Sequence, residues 1–303
     1  SSRGVQTTVK DYINRSISDI LNAEINWPFT RAEGSVDAIA GKQLYSFASI
    51  ASTLKYIDYD NVFLMPKDYI TNGDFEISGS ASITNWATIS GSPAASSKFG
   101  NTLLLTSAKS SQEVEDLIVG KSYVILIQTS GATLTLDVGT SSGGTQTKTT
   151  TLTIASGNEV LLSEVTFTAT ATTHYVTFTE SAGATAYVKL VQLAENITPI
   201  GLKYISYEEY SERYRERDSR PDTDKFSDPE FIYTTYNDEI GLSPIPDTSN
   251  RTIKFDYYTS NVDLSAHGDT SIIPTRFESV INARAKYYTY MFRSDVQTAQ
   301  YAL

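Results

Sequence analysis

Apolar positions follow two different rhythms along this chain, and the change of rhythm divides it. Near the start, Val9, Tyr12, Ile13, Ile17, Ile20 and Leu21 recur every three or four residues and form one stripe on a helix. That helix must stop before Trp27-Pro28, because the residue preceding a proline disfavours the α region. A second helix opens at Ser206-Tyr207-Glu208-Glu209, which has the Ser-x-x-Glu form of a capping box. On it Tyr207, Tyr210 and Tyr214 share a face, and Glu209 stands one turn before Arg213, the i,i+4 spacing of a helical ion pair. A third helix is expected from Pro274, with Phe277, Val280, Ile281, Tyr288 and Phe292 on its inner side. Between the last two helices, Phe231-Ile232-Tyr233, Glu239 to Leu242 and Thr252 to Tyr258 read as strands, with Pro244, Pro246 and residues 247–250 as a turn.

From residue 71 to 196 the rhythm changes to period two. Leu103 to Leu105, Tyr123 to Gln128, Leu134 to Val138, Leu152 to Ile154, Glu164 to Thr168, Tyr175 to Phe178 and Ala186 to Leu193 are short β-branched runs. Several alternate apolar residues with Thr, as strands with one buried and one wet face do. Gly143-Gly144, Gly157-Asn158 and Gly183 punctuate them. Six or more such strands predict an antiparallel sandwich.

Composition sharpens the division. Of the 126 residues in 71–196, 40 are Ser or Thr, yet only Tyr123, Tyr175 and Tyr187 of the 20 tyrosines lie there. The expected fold is therefore α+β: about three helices and a small antiparallel sheet, interrupted by an inserted all-β sandwich of jelly-roll type. The expected boundaries are 1–69 plus 197–303 for a discontinuous host domain and 70–196 for the insert. The tetrapeptide Leu-Lys-Tyr-Ile occurs at 54–57 and again at 202–205, and both copies are expected to be strands of similar burial beside the insertion point.

A search for chemistry removes most enzyme classes. There is no cysteine, so thiolate nucleophiles, thiolate zinc sites and disulfides are excluded. His174 and His267 lie in unlike settings and read as ordinary surface histidines, with no Ser-His-Asp set or metal cluster around them. Acidic residues of the middle third, such as Asp74, Glu76, Asp137, Glu159, Glu164 and Glu180, read as wet-face or turn residues rather than a glycosidase pair. Gly139 to Gly144 (GTSSGG) lacks the Lys and the helix of a phosphate loop. The segment SSRGVQTTVKDY is unlike a signal peptide, and no apolar run approaches the ~20 residues needed to span a bilayer, so a soluble chain is expected. With net charge −11, the chain is a poor grip for nucleic acid. Its one basic cluster, Arg213, Arg215, Arg217 and Arg220, is interleaved with Glu212, Glu216 and Asp218. That reads as a solvated ion-paired face or as an inter-subunit belt involving Glu209, Arg213 and Arg217.

The order of features carries a resemblance. A helix ends in Trp27-Pro28-Phe29 and is followed by Gly41-Lys42-Gln43-Leu44-Tyr45, LKYIDYDNVFLMP (54–66) and LKYISYEEYSERY (202–214). Next come Gly241 to Pro246, Ile253 to Tyr258, Asn261 to Leu264 and Ile273-Pro274-Thr275-Arg276-Phe277. Over 5–70 and 197–295 this resembles the head-to-tail adaptor of short-tailed phages, the tail tubular protein A type. The resemblance implies a virion protein without catalytic residues, metal or cofactor, in a ring of twelve between the portal and tail nozzle proteins. Genomic DNA would pass through the lumen unbound, no membrane would be involved, and a tail fibre is a further candidate partner. The insert resembles a carbohydrate-binding-module jelly roll in Thr71 to Glu76, Trp86 and Val119 to Tyr123. That implies glycan contacts at Trp86 and Tyr175, and makes a glycan-binding adhesin the alternative function and a depolymerase a third. Where such modules carry an Asp-Asn-Val stretch for structural calcium, this chain has Ala186 to Leu190, without the carboxylate.

Overall fold

A computed structural model describes residues 2–24, 26–76, 83–154, 160–213, 232–266, 268–293, 298 and 300. The chain begins with α1 (Ser2–Ala23), then β1 (Arg31–Asp37), β2 (Leu44–Ser46) and the long β3 (Leu54–Pro66). Ten strands follow: β4 (Ala87–Ser90), β5 (Ala94–Ser96), β6 (Thr102–Leu105), β7 (Ala108–Val114), β8 (Ser122–Gly131), β9 (Leu134–Gly139), β10 (Lys148–Leu152), β11 (Leu161–Thr168), β12 (His174–Glu180) and β13 (Ala186–Glu195). The last part holds β14 (Ile200–Gly201), β15 (Lys203–Tyr204), α2 (Tyr207–Arg213), β16 (Ile232–Tyr236), β17 (Glu239–Ser243), β18 (Arg251–Thr259) and α3 (Glu278–Phe292). Strands take 43% of the chain, so the architecture is mostly β, with three helices among the described residues.

Contacts divide the chain into two compact units. One comprises Ser1–Leu64, Ile200–Ser249 and Ile253–Leu303; the other comprises Met65–Pro199 with Asn250–Thr252. The second unit thus takes in more of the chain on both sides than the expected 70–196, and adds Asn250 with the first two residues of β18.

The second unit is a sandwich of two five-stranded sheets, ordered β10-β9-β12-β7-β4 and β11-β8-β13-β6-β5. Inward residues alternate as the period-two pattern requires. Leu134, Leu136 and Val138 of β9 and Val176 and Phe178 of β12 join Tyr123, Ile125 and Ile127 of β8 and Val188, Val191 and Leu193 of β13 in one core. Strand β7 escapes the hydrophobic rhythm. Its inward positions include Ser110 and Gln112, both buried. The Gln112 amide donates to Thr71 O at 2.7 Å and Asn85 O at 3.2 Å and accepts from Thr71 N at 3.0 Å, pinning the start of the sandwich. A buried polar side chain is tolerated when its bonds are made, and these are. Strand β10 also differs from expectation: it is the Thr run 148–152, with Ile154 beyond its end.

In the first unit, sheets β1-β18-β3-β14 and β15-β16-β17-β2 share a core including Tyr45, Ile57, Val62, Tyr233, Ile240 and Phe255. The point where the chain leaves for the sandwich is defined by pairing. Ile200 opposes Leu64 and Gly201 opposes Phe63 in an antiparallel pair, so the two ends of the inserted stretch are strand neighbours. The repeated tetrapeptides go to different sheets. Leu54 to Ile57 opens β3, whereas Lys203-Tyr204 forms β15, parallel to β16. Their burial is nonetheless alike, with Ile57 and Ile205 both buried and Lys55 and Lys203 both exposed. Helices α1 and α3 pack on each other through Ile17, Leu21 and Ile281.

Candidate assembly surfaces

Helix α2 starts as the capping box predicts. The Ser206 hydroxyl accepts the Glu209 N–H at 3.3 Å, satisfying one of the donors that a helix start leaves open. One face of the helix is buried: Tyr210 is enclosed and its hydroxyl donates to Leu242 O at 3.0 Å. At its start Tyr207 stacks on the exposed Tyr236, centroids 3.8 Å apart and planes within 9°. Glu209 is half-buried on this helix. Glu212 is exposed, and Arg213 is the last residue of the helix, but the Arg213 side chain, like Tyr214, Arg215, Glu216, Arg217, Asp218 and Arg220, lies outside the described residues, so the expected belt has no described geometry.

A second aromatic group sits on the strands. Tyr59, 45% exposed, packs on Tyr204 at 4.2 Å, and Tyr204 packs edge-on to the buried Tyr233. The Tyr233 hydroxyl donates to Tyr59 O at 2.9 Å. Burial raises the pKa of Tyr233, with the charges of Tyr59 and Tyr204 adding to it, so this phenol stays a donor at any physiological pH. On the outer face of the first sheet, the exposed Arg31 pairs with Asp256 and, at 3.5 Å, with Asp58. A cavity of about 380 Å³ opens on that sheet, lined by Glu33, Ser35, Asn61, Phe63, Lys254 and Asp256.

Helix α3 corrects the sequence reading. Of the five residues expected inside, only Ile281 is buried; Val280 is 49% and Phe292 74% exposed, and Phe277 is exposed too. The helix packs on α1 along Ile281, Arg284, Tyr288 and Phe292, spaced three or four apart. Val280, four residues before Arg284, stands at the N-terminal end of that row, about 100° around the helix from Ile281, and is left exposed. Asp19 is the polar centre of the pair, accepting from Arg284 Nε at 3.1 Å and from the Tyr288 hydroxyl, while Arg15 lies 4.5 Å over the Tyr288 ring.

The sandwich also corrects the sequence reading. Trp86, expected at a glycan, is 7% exposed, packed between Phe75 and Phe178, and donates its indole N–H to Asn72 O at 3.2 Å. It is a core residue with no free ring face. Tyr175 does face outward, half-buried, with its hydroxyl donating to Glu113 at 2.7 Å. His174 is not a surface residue: it is fully buried beside Phe167, and burial lowers its pKa. His267 lies outside the described residues. Glu180 is buried as well. Desolvation alone would raise its pKa, but N–H bonds from Ser107 at 2.7 Å, Ala182 at 2.8 Å and Ala184 at 3.3 Å prevail and lower it. Among the described residues, no three His, Asp or Glu side chains gather as a metal site would need. No described helix is long and apolar enough to cross a membrane.

A surface of stacked tyrosines, exposed apolar helix residues and ion pairs is what a structural assembly protein presents. The SU10 adaptor protein family model matches residues 147–303, just over half of the chain, and the chain belongs to that family. Membership supports a structural role in the phage virion, in association with other head and tail proteins. The match starts inside the sandwich, at Thr147 immediately before β10, and runs through α3. Among solved structures, the chain is similar to the enzymatically active domain of tailspike protein 4 of bacteriophage CBA120, at 14% identity and TM-score 0.34. The match covers 42% of this chain and only 21% of that one. It is also similar to the module TmCBM61 in complex with β-1,4-galactotriose (18% identity, 43% of this chain and 99% of that one, TM-score 0.33). A third is a CBM4 structure (14% identity, 46% and 89%, TM-score 0.29). At such scores the likeness says nothing of what this chain binds. No curated protein matches the chain.

Proposed function

We propose that this chain is a subunit of a head-to-tail adaptor ring of the short-tailed phage type, twelve copies joining the portal to the tail nozzle. The carrying observation is the family match over residues 147–303. The unit built from Ser1–Leu64, Ile200–Ser249 and Ile253–Leu303 is the α+β adaptor domain in this reading, and the sandwich decorates it. Heterologous contacts between identical subunits either close into a ring or run into filaments, and a portal of fixed symmetry selects closure. Glu209, Arg213 and Arg217 supply inter-subunit ion pairs, and Tyr59, Tyr236 and Phe292 supply apolar contacts of the kind that dominate interface cores. The net charge of −11 suits a conduit past which DNA slides without sticking. Of its two expected glycan contacts, the adhesin alternative keeps the outward Tyr175, since Trp86 is interior.

Electron microscopy of the purified protein mixed with portal tests this: closed rings on the portal are expected, and scattered single copies on it would refute the reading. Arg213→Glu should leave the stability of the single chain within roughly 1 kcal/mol, as exposed ion pairs are weak, while impairing ring closure. Unimpaired closure would remove Arg213 from the interface.

A further inference from the structure

The segment GTSSGG and its flanks do something that neither the adaptor role nor the sandwich fold requires. In sheet β10-β9-β12-β7-β4 the residues turned away from the core include Thr149, Asp137, Thr177 and Ser111, which stand opposite one another across four strands. They are bonded in pairs, Thr149 Oγ1 donating to Asp137 at 2.8 Å and Thr177 Oγ1 to Ser111 Oγ at 2.9 Å. An outer face should be wet, and at the β10 edge Thr149 is exposed, yet Ser111 is 1%, Thr177 0% and Asp137 5% exposed. Something covers them.

The cover is the connection between β9 and β10. Gly139 ends β9 on the outer side, and a Cβ there would stand 2.5 Å from the carbonyl of Gly144 and 2.3 Å from Gln146 Oε1, so the connection folds directly back over the sheet. At Gly143 it meets the end of the Lys109 side chain, which reaches over from β7 and donates from Nζ to Gly143 O at 2.9 Å. A Cβ on Gly143 would come within 3.6 Å of Ile89 on β4, the far edge of the sheet. Two glycines make the crossing possible, Gly139 by lacking a Cβ and Gly143 by its φ of +73°. The Gln146 side chain holds the base of the fold-back by accepting from Thr140 N at 3.3 Å.

We propose that Gly139–Gln146 is a strap latched by Lys109 that closes the outer polar face of this sheet, so that the chain occupies in cis the surface any external ligand of that face would need. The latch is one charge-assisted hydrogen bond across a solvated loop, the kind of contact that local opening breaks first.

Because the chain has no cysteine, a single Ser111→Cys gives a unique reporter under the strap. Its reaction with a soluble maleimide should be slow beside that of Ser142→Cys on the strap itself. Adding Lys109→Met should speed labelling of Cys at 111 by about tenfold or more, as loss of a charged hydrogen bond shifts the opening equilibrium. Gly139→Ala, which cannot coexist with the closed strap, should speed it further. Circular dichroism and thermal melting confirm that each variant retains the sandwich. Labelling at 111 as fast as at 142 in the parent would show the face open. Equal rates with and without Lys109, or with Gly139→Ala, would show that no latch exists. Either result overturns the proposal.

Discussion

In the unit containing Met65–Pro199, 24 buried apolar residues form one cluster between two sheets. Among the described residues, the other unit distributes its buried apolar residues over three clusters, of 13 between its sheets, four around α1 and α3, and three at α2. A 22-residue and a 15-residue helix that contribute only Ile17, Leu21 and Ile281 to their shared cluster have spent little of their surface on each other. Helices gain most of their stability from packing an apolar face, so elements this thinly packed should be the least stable of the molecule in isolation. The contrast separates a domain with one deep core from one with several small clusters, and the exposed aromatic rings Tyr59, Phe63, Tyr236, Phe277 and Phe292 all belong to the second. Composition follows the same line: Thr and Ser suit strands with one wet face, whereas Tyr offers a large rigid ring and a hydroxyl that can be satisfied at an interface.

The sharpest test is depth of core. Phe178→Ala in the sandwich should cost about 3–5 kcal/mol, read as a lowered denaturant midpoint of the β signal. A loss under 1 kcal/mol would mean that the single core is looser than its burial implies. Next is acidification, which should strike the sandwich. His174 has a lowered pKa when folded, so the unfolded chain takes up its proton first and stability falls as pH drops below the unfolded value of 6.5. Glu180 has a lowered pKa as well. Its contribution is present above 4.5 and is lost as pH falls from there through the folded value. Thermal melts from pH 7.5 to 4 should show the first slope, and His174→Gln should flatten it between pH 7 and 5; an unchanged slope would assign it elsewhere. Ser206→Ala, at the cap of α2, should cost about 1 kcal/mol in the other unit while leaving the sandwich transition in place.

The smallest expected effect belongs to the largest change. Since Leu64 and Ile200 are paired neighbours, replacing Met65–Pro199 by a short Gly-containing turn closes a hairpin. Loop entropy changes only as the logarithm of length, about 0.6 kcal/mol per doubling. The shortened chain should keep its helical circular dichroism, and residues 65–199 alone should fold as a β protein. Unfolding of both products would show the two units to be one cooperative body.

Much of this was legible along the chain, because it rests on local periodicity. The stripe Ile13, Ile17, Ile20 and Leu21 defined α1, the Ser-x-x-Glu pattern placed the start of α2, and alternation of Thr with Leu, Val and Phe gave β8, β9, β11, β12 and β13. A local pattern states how residues repeat, not what stands opposite them. Strand β7 was missed because Ser110 and Gln112 point inward, which is tolerable only when Ala87 comes round to bond the first and Thr71 and Asn85 the second. Trp86 and His174 looked like surface residues until Phe178, 92 residues on, and Phe167, across the turn from the preceding strand, packed against them. The exposure of Val280 was decided by α3 packing on α1 through Ile281, and the fate of GTSSGG by a lysine some thirty residues earlier on another strand. Periodicity fixes the element and its wet face; only the tertiary structure decides whether that face stays wet, because burial depends on chain segments brought together from far apart.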